Sequence, residues 1–329
     1  MMHAEGLLKG HKLALDSSLM DANAAMRSIV RKDTNETYSG YVERLASASG
    51  EPAVTRSEQA RFDKKREKRT TSNADWASTT DPEAKIAKMK DGRTHLAYKP
   101  EHAVDIDSGA IIAATVNPAD SSDHSTATNT LVQVTENLEH IELSSSGFTV
   151  VADKGYHSEA VIAGCVAAEI KTCIAVPQRR GKRNWKQATE HARTAITRNR
   201  RRVASEYGKR LLRKRGETVE RSFAHLLNTG RMRRSHLRGL KNVEKRYLIQ
   251  ACAYNLGLMM RKLIGFGTPR GLGAAAAALV RVLCALWQLL AALVLRPKVA
   301  IRTNSNNDAE TRRISDAGTA PGALYENAT

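Results

Sequence analysis

The run Val150-Val151-Ala152-Asp153-Lys154-Gly155-Tyr156-His157-Ser158 sets the reading of the whole chain. Residues 148–151 are apolar or β-branched and predict a short buried strand. The strand stops at an acid, and Gly155 lets the chain turn. An aspartate at the carboxyl end of a central strand points into the crevice above the sheet, where α/β folds place their chemistry. A carboxylate in that position needs a partner, and a divalent metal ion is the simplest one. The same residue also fits a solvated turn that caps the next helix. The stretch alone leaves both readings open.

Other acids stand in comparable places. Lys12-Leu13-Ala14-Leu15-Asp16-Ser17-Ser18-Leu19 reads as a strand ending in Asp-Ser-Ser, which makes Asp16 a second candidate or the cap of a helix over 19–30. Residues 31–80, polar and turn-rich at 32–41 and 47–55, change character. Within them 61–69 predicts a charged helix, solvated or tracking a phosphate backbone, and 70–82 a loop. Apolar runs at 95–105 and 110–116 flank Asp107-Ser108-Gly109, a hairpin signal that makes Asp105 a third candidate. A helix over 123–138, capped by Asp123 or Ser125, precedes the Asp153 strand. A helix over 158–168 and a strand over 172–176 follow it. Acids ending two strands suit a two-metal nuclease site, whose ions lie roughly 3.5–4 Å apart and need one more ligand from a later helix. Val219, Phe223, Leu226 and Leu227 form a helical apolar stripe, and Glu220 lies at its edge. Glu217, one turn earlier, is the rival. Either could instead be a surface glutamate paired with arginine.

The charge points to a polyanion. The chain has 329 residues and a formal net charge of +18. Residues 171–249 hold 24 Lys and Arg against 5 Asp and Glu, so this segment carries the whole excess. Nucleic acid is the expected partner. Cys165, Cys173, Cys252 and Cys284 form no zinc spacing and read as reduced, mostly buried thiols. No Gly-rich phosphate loop, nucleophile elbow or zinc motif is present, which argues against enzymes built on those sites.

Several motifs together resemble a known family. They are Asp16-Ser17-Ser18, the hairpin from Leu96-Ala97-Tyr98-Lys99 to Val104-Asp105, Ala152-Asp153-Lys154-Gly155-Tyr156, and Val219-Glu220-Arg221-Ser222-Phe223. Arg231-Met232-Arg233-Arg234-Ser235-His236-Leu237-Arg238-Gly239-Leu240 and Cys252-Ala253-Tyr254-Asn255-Leu256-Gly257 complete the set. From about residue 13 to about 270 the chain is similar to the DDE transposases of bacterial insertion sequences. The resemblance implies an α/β fold: a ribonuclease-H-like mixed sheet flanked by helices, spanning 11–265, with a helical insertion at 31–94 and a helical C-terminal extension. It also implies that the N-terminal helical region usual in the family is missing here.

The resemblance further implies a triad of Asp16, Asp153 and Glu220 holding Mg²⁺ or Mn²⁺, with Asp105 and Glu217 as alternative acids. Arg215, Arg221, Arg231, Arg233, Arg234 and Arg238 would hold the DNA backbone. The implied activity is metal-dependent cleavage and strand transfer at insertion-sequence ends, by a homodimer on DNA at the bacterial nucleoid. A nuclease of the same fold and an inactive DNA-binding remnant are the alternatives. Beyond the resemblance, the Ala- and Leu-rich run 271–296 reads as an apolar helix rather than a membrane span, because Arg281 lies near its middle. The polar tail 297–329 reads as disordered.

Overall fold

In chain order the elements are β1 (Lys12–Ser17), β2 (Met20–Asp21), β3 (Ile29–Arg31), α1 (Tyr38–Ala48), α2 (Arg56–Lys65), β4 (Trp76–Ser78), β5 (Lys85–Lys88) and β6 (Thr94–Asp105). Then come β7 (Ile111–Pro118), α3 (Asp123–His140), β8 (Thr149–Ala152), α4 (Glu159–Ala167), β9 (Lys171–Ile174), α5 (Glu190–Ala204), α6 (Glu206–Ala224), α7 (Leu240–Ile264) and α8 (Pro269–Val294). This computed structural model describes residues 2–294 except 52, 54, 67–70, 145, 179–188 and 267–268. The expected tail, 297–329, lies outside the described residues.

One mixed sheet organises residues 1–272. The long strand β6 pairs antiparallel with β1 along one edge and with β7 along the other. β1 pairs parallel with β8, and β8 parallel with β9. The main order is therefore β7-β6-β1-β8-β9. Strand alternation divides its side chains between two faces. Leu13, Leu15, Val150 and Ala152 pack with α3, α4 and α5. Ala14, Val104 and Val151 pack with Leu211, Val219 and Phe223 of α6 and Val243, Tyr247 and Tyr254 of α7. Fully burying each large apolar side chain contributes about 1.5–3 kcal/mol, so both faces are needed to hold the sheet. Asn199 closes the free edge of β9, donating to the Ile174 carbonyl at 2.9 Å and accepting from its amide at 2.9 Å.

The region after β1 departs from expectation. No helix spans 19–30. β2 continues β1 along the same edge of β6, and β3 pairs with β4 in a small second sheet. Strands of two or three residues leave no periodic signal, so Leu19 and its neighbours read as helical. Residues 38–41 and 47–48 belong to stretches expected to be turn-rich, but 38–48 form α1, with the Thr37 side chain accepting from the Gly40 amide. The expected loop 70–82 contains β4. Residues 61–65 of the charged run fall in α2, whose residues are exposed or half-buried and which starts with a capping box of Thr55 and Glu58; residues 67–69 lie outside the described residues.

Pro82 sits between two acids that reach the start of α7. Asp81 accepts from the Gly239 amide at 3.2 Å and from the Tyr98 hydroxyl at 2.8 Å, and Glu83 accepts from the Leu240 amide at 2.7 Å. Gly239 has φ 81° and brings no capping side chain of its own. The insertion therefore caps a helix far along the chain.

From Gly273 onward α8 belongs to a second unit. No helix among the described residues is long and apolar enough to cross a membrane. Cys165 and Cys173 are buried, whereas Cys252 and Cys284 are exposed, so the thiols are not mostly buried.

Candidate active site

The register of β1 on β8 places the first two acids. Leu15 lies opposite Ala152, so Asp16 and Asp153 follow at the carboxyl ends of adjacent parallel strands. Both share the strand parity of Ala14 and Val151 and so belong to the α6 side of the sheet. Asp16 lines a cleft of about 940 Å³ that also contains Asp123, Glu220, Phe223, Ala224 and Leu227. Phe223, Ala224 and Leu227 are the three positions that share a helical face with Glu220. Glu217 is exposed one turn earlier and does not line this cleft. A π-helical turn, His225–Thr229, ends α6 and brings Leu227 and Asn228 into the same wall.

Asp105 is elsewhere. It pairs with Leu13, three residues before Asp16 on an antiparallel neighbour, or roughly 10 Å along the strand. Its carboxylate holds the β6–β7 turn through the Ser108 amide at 3.2 Å and the Ser108 hydroxyl at 2.6 Å.

Asp123 stands in the site, although sequence reading treated it only as a helix cap. Ser122 occupies the cap position without a side-chain capping bond, and Asp123 faces the sheet. Its Oδ1 accepts from Ser17 Oγ at 2.8 Å and pairs with the buried Lys99 ammonium at 2.6 Å. Gly155 makes room for it: a Cβ there would overlap Asp123 Oδ2 and lie 3.1 Å from Asp153 Oδ1. Gly155 is therefore required for space. The chain turns at Gly155 as expected, in a 3₁₀ turn, Lys154–Tyr156, but its φ is not positive. No local sequence signal marks Asp123, because its neighbours come from β1, β6 and the turn after β8.

Electrostatics single out Asp16. Its Oδ1 accepts from the Ser17 amide at 2.9 Å and its Oδ2 from Arg215 Nη1 at 2.9 Å. Burial nevertheless raises its pKa above the ordinary carboxylate value. The Arg215 charge and the Ser17 amide oppose that rise, and the neighbouring Asp153 and Asp123 charges add to it. Arg215 thus points inward, onto an acid, rather than out to a DNA backbone. Of the other arginines expected on DNA, Arg221, Arg231, Arg234 and Arg238 are exposed. Arg233 is also exposed and lines the cleft, held by Asn228 Oδ1 at 2.6 Å. The buried Met232 and Ser235, both 0% exposed, pin this segment and turn its arginines outward.

The acids suit a hard divalent cation in kind: oxygen donors only, with negative charge that Arg215 and Lys99 do not fully offset. Among the described residues, however, no three His, Cys, Asp or Glu side chains are drawn together closely enough to hold one as they stand.

A mixed sheet in this order, with acids ending its two central parallel strands and a glutamate on a helix across the cleft, defines a ribonuclease-H-like nucleic-acid-processing domain. The family model described as Transposase DDE domain matches residues 41–256, about two thirds of the chain. The chain belongs to that family. The match includes Asp153 and Glu220 but not β1, so the pairing of Asp16 with Asp153 rests on sheet register. No curated protein matches the chain.

Proposed function

We propose that this protein is a DNA transposase that cleaves and joins strands at insertion-sequence ends, with Asp16, Asp153 and Glu220 as its acidic triad. The observation that carries the reading is the register that puts Asp16 beside Asp153 at the ends of adjacent parallel strands, with Asp16 lining the cleft that Glu220 also lines. DDE transposases generally use divalent metals, and these three acids would hold Mg²⁺ or Mn²⁺. Such an ion, when bound, supplies a water of lowered pKa and stabilises the leaving 3′ oxygen.

The chain's own residues do the rest. Asp16, held by Arg215, would be one of the ligands of that ion. Asp123, charge-balanced by Lys99, supports the site from the side of α3. Arg231, Arg233 and Arg234 hold phosphates on one wall. Water attacks the phosphodiester and its P–O3′ bond breaks, leaving a 5′-phosphate and a 3′-hydroxyl; that hydroxyl later attacks a phosphodiester of target DNA in the same cleft, and the target's own P–O3′ bond breaks to release a new 3′-hydroxyl. A homodimer bringing two ends together belongs to the same reading.

The test is cleavage of supercoiled plasmid DNA and of labelled duplexes from the flanks of the coding region, with Mg²⁺ or Mn²⁺. Metal-dependent nicking that disappears in Asp153→Ala and Glu220→Ala and persists in Asp105→Ala and Glu217→Ala is expected. Salt-sensitive DNA binding with no cleavage by the unaltered protein would overturn the enzyme and leave the DNA-binding remnant.

A further inference from the structure

The cleft has a second wall, built by the insertion rather than by the basic segment. β5 and the start of β6 form a hairpin in register from Lys85 opposite Ala97 to Lys88 opposite Thr94. Lys88, Met89, Lys90, Asp91 and His95 of this hairpin line the same cleft as Asp16 and Glu220. Its base is fixed. Ile86 and Leu96 are buried, and the Asn73 side chain bonds both the amide and the carbonyl of Ile86, at 2.8 and 2.9 Å. Its tip is closed by Met89 donating to the Arg93 carbonyl and accepting from Gly92, at 2.8 and 3.0 Å. His95 ties the tip to β2, lying 3.1 Å from Asp91 and 3.4 Å from Asp21. That contact engages Asp91 and Asp21.

Lys88 and Lys90 are exposed, and neither is in an ion pair among the described residues. Arg233 lines the cleft from the segment after the π-helical turn. Acids on the floor repel a phosphodiester, so a strand can settle over them only where cations offset its charge. We propose that the β5–β6 hairpin is a second DNA-gripping wall, in which Lys88 and Lys90 bind backbone phosphates of the strand lying over Asp16, Asp153 and Glu220. This rests on the DNA-cleaving reading above. Lysine is a flexible point charge, so the contact is to phosphate and carries no base preference.

The test measures binding of the full chain to a fluorescent DNA duplex in EDTA across a salt series. Lys88→Ala/Lys90→Ala should lower the slope of log affinity against log salt by about 2 and weaken low-salt binding roughly ten- to hundredfold. Lys88→Arg/Lys90→Arg should restore most of both. Lys9→Ala, beside Asp105 at the other end of β1 from the site and outside the basic segment, should change neither. An unchanged slope in the double alanine variant, while the unaltered protein binds DNA, overturns the hairpin assignment alone. Absence of DNA binding by the unaltered protein overturns the DNA-cleaving reading and the hairpin with it.

Discussion

Asp153 keeps its place through one hydrogen bond, from the Gly155 amide at 2.8 Å, and an asparagine oxygen can accept the same bond. Asp153→Asn therefore removes a like charge from beside Asp16 with little change in shape. Without metal it should stabilise the protein by on the order of 1 kcal/mol in denaturant unfolding while abolishing cleavage. Asp16 adds a pH dependence. Its folded-state pKa lies above the ordinary 3.8, so the folded chain keeps that proton to higher pH than the unfolded chain does. The carboxyl costs no stability below the ordinary value, and stability is lost as pH rises through the raised one. Mg²⁺ should accordingly raise the melting temperature near neutral pH and have little effect around pH 4, where carboxylates take up protons. Gly155→Ala should displace Asp123 or Asp153. A loss of roughly 1–3 kcal/mol in stability, accompanied by a loss of cleavage, is expected.

His102 couples the helices to the sheet. It lies opposite Asp16 on β6, is 0% exposed, and stacks on Phe223 with ring centroids 4.0 Å apart. Its Nδ1 is 3.0 Å from Ser222 Oγ on α6, two residues from Glu220, and its Nε2 is 2.7 Å from the Tyr247 hydroxyl on α7. Burial pushes its pKa down to about 3. The unfolded chain takes up this proton near pH 6.5, so His102 makes stability fall as pH drops from there toward 3. His102→Ala should cost about 2–4 kcal/mol and flatten that acid limb, measured by unfolding at several pH values. The acids that start α7 give a smaller effect: Glu83→Ala should cost about 1 kcal/mol, read from the same unfolding curves. The α6 stripe was legible in sequence because a 3.6-residue period is a local property. β2, β3 and β4 were not, because such short strands exist only through their partners.

Over the whole molecule the excess charge lies in 171–249, and the arginines at 231, 233, 234 and 238 are exposed. Replacing Arg231, Arg233 and Arg234 by alanine should weaken DNA binding by a similar factor for all sequences and reduce the salt slope by about 2–3. Arg215→Ala should behave differently. It removes the counter-ion of Asp16, so metal-free stability should fall while the salt slope stays nearly constant.

The chain order of strands and acids, the apolar stripe of α6 and the basic segment could all be read along the sequence, because each depends on neighbours within a few residues. They were enough to point to a family that the match over 41–256 supports. Which acids meet was settled by folding. Asp16 stands beside Asp153, and Asp105 lies at the other end of β1, because strand register is set by packing on both faces of the sheet. Asp123 and Lys99 join the site, and Arg215 turns onto Asp16, through contacts between residues far apart in the chain. Burial then raises the pKa of Asp16, and no local pattern encodes burial at a junction of β1, β6, α3 and α6.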